Sequence, residues 1–146
     1  MKIIYFDEGY LQDCVSLFMS QYNSEDFDCG FDKSRATAYL EEIILKPRFV
    51  GILALKKNRV LGFAFCHLRT WSEKDDLVID ELLVKTEKQN EGIGSMLLEF
   101  IESYAINYNL AGITATTNVQ PLTQFYQKNE FLEHNLSFLY KGVNNT

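Results

Sequence analysis

The chain has 146 residues, enough for one domain with a sizeable core, and its balance of 47% hydrophobic to 23% charged residues excludes an extensively disordered chain. A formal charge of -6 and a pI near 4.9 disfavour nonspecific attraction to nucleic acid and make a cationic small molecule the more natural guest. No apolar stretch reaches a membrane span, Met1 to Phe6 lacks the features of a signal peptide, and Cys14, Cys29 and Cys66 form no CxxC pair, so the expectation is a cytoplasmic protein with reduced thiols and no metal.

Lys2 to Phe6 reads as a short strand, and from about Tyr10 to Tyr22 the residues Leu11, Val15, Phe18 and Met19 fall at helical spacing. Asn23 to Asp32, with four acidic residues, Gly30 and two phenylalanines, is a loop or broken helix. Helical character resumes near Ser34 and runs through Tyr39, Leu40, Ile43 and Ile44 until Pro47 stops it. Phe49 to Leu55 and Arg59 to Leu68 are rich in strand formers, and Lys56-Lys57-Asn58 between them is short enough for an antiparallel hairpin. A polar turn from Arg69 to Asp76 carries the only tryptophan, Trp71. Leu77 to Val84 reads as a central strand whose apolar run is broken by Asp80 and Glu81.

After the turn Lys85 to Glu91, the positions Leu97, Leu98, Ile101, Tyr104, Ala105 and Tyr108 mark a long amphipathic helix. Gly112 to Thr116 makes another strand, Pro121 suits the first turn of a helix reaching about Asn129, and Phe131 to Glu133 and Leu136 to Tyr140 read as closing strands. The order is βααβββαβαββ, with no repeat or linker to divide it, so residues 1–146 are expected to form one α/β (α+β) domain.

Gln89-Asn90-Glu91-Gly92-Ile93-Gly94 stands between a buried strand and a long helix, where glycines let the backbone approach a phosphate and first-turn N–H groups donate to it. The dinucleotide fingerprint fails, since its third glycine position is Leu97 and no acidic ribose partner lies near Thr114; a P-loop fails for want of Gly-Lys-Ser/Thr. The glycines alone are equally consistent with a tight turn. Asp80 and Glu81 are the carboxylates of this strand able to act in proton transfer. Strand alternation puts them on opposite faces unless a bulge intervenes, and Glu81 is the preferred base, with Asp80 or a water chain as alternatives. Tyr22, Phe27, Phe31 and Trp71, interleaved with acids, are candidates for an aromatic wall around a cation, against the plainer reading of a solvated loop. His67 and His134 have no ligand spacing and receive no role.

Ile79-Asp80-Glu81-Leu82-Leu83-Val84, then Gln89-x-x-Gly92-x-Gly94, then Phe125-Tyr126-x-Lys128-x-x-Phe131 resemble, in order and spacing, the GNAT N-acetyltransferases. The resemblance implies a single GNAT-like domain with a central mixed, mostly antiparallel sheet and helices on both faces. It implies acetyl-CoA as co-substrate, held by Leu82, Leu83 and Val84 along a splayed strand and by Gln89, Asn90, Glu91, Gly92, Ile93, Gly94 and Ser95 at the pyrophosphate. A backbone N–H near Leu82 or Leu83 would stabilise the oxyanion. Tyr126 matches the family tyrosine that protonates the departing thiolate.

Two departures stand out. Glu130 replaces a usual glycine, and the family asparagine position is Val119, with Asn118 beside it as the candidate contact to pantetheine. The expected acceptor is a primary amine on a small cationic molecule; a protein N-terminus or lysine is the alternative, and a non-catalytic acyl-CoA sensor the other. No nucleic-acid or membrane partner is expected, and homodimers through the terminal strands are common in such domains.

Overall fold

The computed structural model describes residues 1–25, 27–117, 120–134 and 136–143, with the side chains of Gln120 and Pro121 excepted. The chain forms two compact units, Met1–Thr116 and Thr117–Thr146. The first holds five strands in the order β1 (Lys2–Tyr5), β2 (Phe49–Lys56), β3 (Arg59–Arg69), β4 (Asp76–Val84) and β5 (Gly112–Ala115). The first three pairings are antiparallel and β4–β5 is parallel, as a strand reached through an intervening helix allows.

Helices α1 (Leu11–Tyr22) and α2 (Lys33–Ile44) bury Leu11, Cys14, Val15, Phe18, Ala36, Leu40 and Ile43 against Leu53, Leu55, Phe63, Phe65 and Leu83. Alternation sends Ile52, Ala64 and Cys66 to the other face, where α3 (Ile93–Asn107) packs with Leu97, Leu98 and Ile101 buried. Mixed sheet and helices on both faces are as the motifs implied. Asp32 caps α2 by accepting from the Arg35 N–H at 2.7 Å. The β2–β3 connection is a two-residue hairpin whose Lys57 and Asn58 have φ of 52° and 61°, the left-handed pair that matches strand twist. Gly62 matters for close approach: a Cβ there would lie 2.9 Å from the Leu83 carbonyl oxygen and 3.4 Å from the Ile93 side chain at the head of α3.

In the second unit α4 (Gln120–Lys128) ends in a turn where the Phe131 N–H donates to the Tyr126 carbonyl at 3.0 Å and Glu130 has φ of 71°. This is a left-handed position that favours glycine, so Glu130 occupies the geometry for which the family pattern uses glycine. The closing strands expected at Phe131–Glu133 and Leu136–Tyr140 are not formed among the described residues. Leu132, Leu136, Phe138, Leu139 and Tyr140 have the period or composition of strands but are exposed. Two short strands without a third partner or a covered face are marginal at best. No helix among the described residues is long and apolar enough to cross a membrane.

Candidate active site

The register of β3 against β4 pairs Phe65 with Glu81 but Cys66 with Ile79, leaving Asp80 as an extra residue in a β-bulge. Upstream, Leu77 and Ile79 pair with Leu68 and Cys66; downstream, Glu81 and Leu83 pair with Phe65 and Phe63 on the α1–α2 face. The bulge therefore suspends the simple alternation that would separate Asp80 from Glu81. The carboxylates of both residues meet groups from the α1–α2 side.

Glu81 is 7% exposed and accepts from Tyr22 at 2.8 and 3.1 Å and from Tyr39 at 2.5 Å. Burial pushes its carboxyl above the usual carboxylate range, the two phenol donors pull it part of the way back, and the Asp80 charge raises it again. Burial and the Glu81 charge hold both phenols protonated, so they remain donors. Asp80 accepts from the Lys46 ammonium at 2.8 Å on one oxygen and lies 2.7 Å from His67 Nδ1 on the other.

An aromatic cluster surrounds the Glu81 donors. Phe18 stacks on Tyr22 at 4.3 Å and on Tyr39 at 5.1 Å, Phe31 meets Phe18 edge-on at 4.8 Å, and Phe27 lies 5.1 Å from Tyr22. Asn23 closes the loop by exchanging two hydrogen bonds of 2.7 Å with the Phe31 backbone, which folds Phe31 back onto the helix. Of the proposed aromatic wall, Tyr22, Phe27 and Phe31 thus come together, whereas exposed Trp71 stands beyond β3 with the Arg69 guanidinium 5.6 Å over its ring.

At the far end of β4 the Gln89 amide donates to the Val84 carbonyl at 3.1 Å, fixing the turn to the strand. Asn90 and Gly92 have φ of 66° and 83°, and no side chain caps α3 at Gly92. The N–H groups of Ile93, Gly94 and Ser95 in the first turn have no helical carbonyl to bond, which is the physical basis of an anion site. A Cβ at Gly92 would meet nothing within 4 Å, so the space above the turn is open. Pairing of β4 with β5 ends at Ile79 with Ala115, and from Asp80 to Val84 the backbone has no β5 partner among the described residues. A separate cleft is lined by Ser16, Gln21, Arg59, Lys85 and Thr86; neither Glu81 nor the glycine turn borders it.

Tyr126 lies in the second unit, half-buried, with its ring 5.3 Å from Phe125 and 5.2 Å from Phe131. Asn118 lies outside the described residues. Tyr39 and His67 escape sequence reading as site residues. The helix period around Tyr39 explains burial but does not say what its hydroxyl meets, and the His67–Asp80 pair exists only through the bulged register.

The profile of the acetyltransferase (GNAT) family matches residues 11–131, and the chain belongs to that family. Similar solved structures include a probable acetyltransferase at 19% identity and TM-score 0.79, covering 100% of both chains. An aminoglycoside N-acetyltransferase, AAC(6')-Iy, solved in complex with CoA, is 15% identical with TM-score 0.77 over 97% of this chain and 93% of its own. The aminoglycoside acetyltransferase meta-AAC0020, from an uncultured soil metagenomic sample, is 19% identical with TM-score 0.77 over 98% and 96%. No curated protein sequence matches the chain.

Proposed function

We propose that the protein transfers an acetyl group from acetyl-CoA to a primary amine of a small, cationic molecule. One observation carries the reading: β4 leaves its partner β5 after Ile79, at the bulge that bears Asp80 and Glu81, and ends in a glycine turn opening into an uncapped helix. Unpaired strand backbone suits the amide-rich pantetheine arm, and open space above Gly92 suits a pyrophosphate, so the residues present fit the coenzyme. Leu82, Leu83 and Val84 would hold the arm, and Gln89 to Ser95 the phosphates, with Asn118 a further contact.

Bound there, acetyl-CoA supplies an activated thioester. The chain supplies the rest. A backbone N–H near Leu82 or Leu83 donates to the carbonyl oxygen where negative charge develops. Glu81 removes the ammonium proton so that nitrogen can attack directly, and its raised basicity favours that transfer. Tyr126 gives a proton to the departing sulfur, a reasonable match because phenol and thiol pKa values differ by only about two units.

The small-molecule acceptor is supported by the aromatic and carboxylate surroundings of Glu81 and by the aminoglycoside acetyltransferases among the similar structures. Thiol release with acetyl-CoA tests it across diamines, aminoglycosides, amino-acid derivatives and lysine-containing peptides. Turnover on a small amine is expected. Turnover on peptides alone would assign a protein substrate, and coenzyme binding without turnover on any amine would make the protein a sensor.

A further inference from the structure

Outside the groups given a catalytic role, one cluster couples three side chains of different chemistry on the acceptor-facing side of the sheet. His67 sits two residues along β3 from Phe65, the partner of Glu81, which sets it about 7 Å further along the same face. Lys46, which follows α2, neutralises Asp80 through one carboxylate oxygen, and the second oxygen lies 2.7 Å from His67 Nδ1. A carboxylate held by a cation accepts rather than donates, so Asp80 takes the Nδ1–H, and in that tautomer Nε2 is the ring nitrogen that carries a lone pair. The His67 side chain is 20% exposed, and Nε2 has no hydrogen-bond partner among the described residues.

We propose that His67 is a substrate-contacting residue, its Nε2 accepting a hydrogen bond from a second N–H or O–H group of the acceptor while the reacting amine lies at Glu81. The reading rests on the acetyl-transfer assignment for the position of the reacting amine. It narrows the substrate class to amines that carry a second donor, such as short diamines and amino alcohols. Asp80 is a positioning residue. It acts on the acceptor through the imidazole, whose Nδ1 it holds at 2.7 Å.

The test compares 1,4-diaminobutane with butan-1-amine, by kcat/KM in thiol release and by the ring-nitrogen resonances of His67 in the full chain. Loss of one hydrogen bond from a charged donor corresponds to about ten- to hundredfold in affinity. His67→Ala is expected to lower the preference for the diamine by that factor, mainly through KM, with acetyl-CoA affinity by calorimetry unaltered. Asp80→Ala should lower the same preference by less. In the wild type the Nε2 resonance should move saturably with the diamine and not with butan-1-amine. An unchanged preference in a folded His67→Ala protein, or an unmoved resonance, overturns the proposal. The failures are separable: a resonance that responds without turnover on either amine supports the site, and the transferase reading then falls only if the wider amine screen also shows no turnover, whereas turnover without a response removes the site.

Discussion

At Glu81 burial and hydrogen bonding pull in opposite directions, and the tyrosines of two helices set the balance. Tyr39→Phe removes a donor to the carboxylate and leaves burial less opposed, so the carboxyl should titrate higher still. The acidic limb of kcat/KM should then move to higher pH, and Tyr22→Phe should act in the same direction; an unmoved limb in both would exclude Glu81 as the titrating base. Glu81→Gln should lose activity mostly on the acid side and recover partly as pH rises and more amine arrives neutral. The same residue carries a stability signature. Its folded carboxyl sits above the ordinary 4.5, so the native state holds the proton more tightly, and that stabilisation is present at low pH and lost as pH rises through the raised value. The melting temperature of Glu81→Gln should therefore gain on the wild type as pH climbs above 4.5, and a constant difference would contradict the burial argument. Tyr126→Phe should lower kcat by about a hundredfold or less, the lower end for a lost general acid, with acetyl-CoA affinity retained.

Between residues and fold stand the turn and the bulge. Gly92 has φ of 83° with open space around it, so a bulky replacement should cost roughly 1–2 kcal/mol of backbone strain, leave the fold intact and obstruct the coenzyme phosphates. Calorimetry on folded Gly92→Trp should show weakened acetyl-CoA binding; wild-type affinity would rule out the cradle. Glu130 supplies the converse. Its left-handed φ of 71° predicts that Glu130→Gly stabilises the turn after α4, by about 1 kcal/mol or less once glycine's extra unfolded-state entropy is counted, read as a higher melting temperature. The elements from β1 to α4 were legible because each carries its own period or breaker: Pro47 ends α2, and the apolar run from Leu77 marks β4. Glycines between strand and helix made the turn before α3 legible as well. The bulge stood only as an exception to alternation, because Asp80 reads as one more alternating position until Cys66 is seen opposite Ile79. Contacts of Tyr39, Lys46 and His67 with the two acids depend on that register, so no local pattern could supply them. The closing strands failed for the opposite reason, since the alternation of Leu136, Phe138 and Tyr140 states a period without supplying a partner.

For the whole molecule, a net charge of -6 fits a cationic acceptor better than a nucleic acid, while on the proposed reading the coenzyme's negative charge would be met locally by backbone N–H groups at the head of α3. Binding to the native state alone should raise the melting temperature as acetyl-CoA is added, with about 2.7 kcal/mol of stabilisation at a hundredfold excess over Kd. The most direct measurement is a single-turnover experiment, with enzyme in excess over acetyl-CoA, rapid mixing with a verified small amine, and the thioester absorbance and acetylated product followed together. The account predicts that thioester loss and product appear at one rate, equal in amount, and that Gly92→Trp at the same subsaturating concentrations slows both. Stable thioester in the presence of every amine, despite demonstrated coenzyme binding, would contradict it.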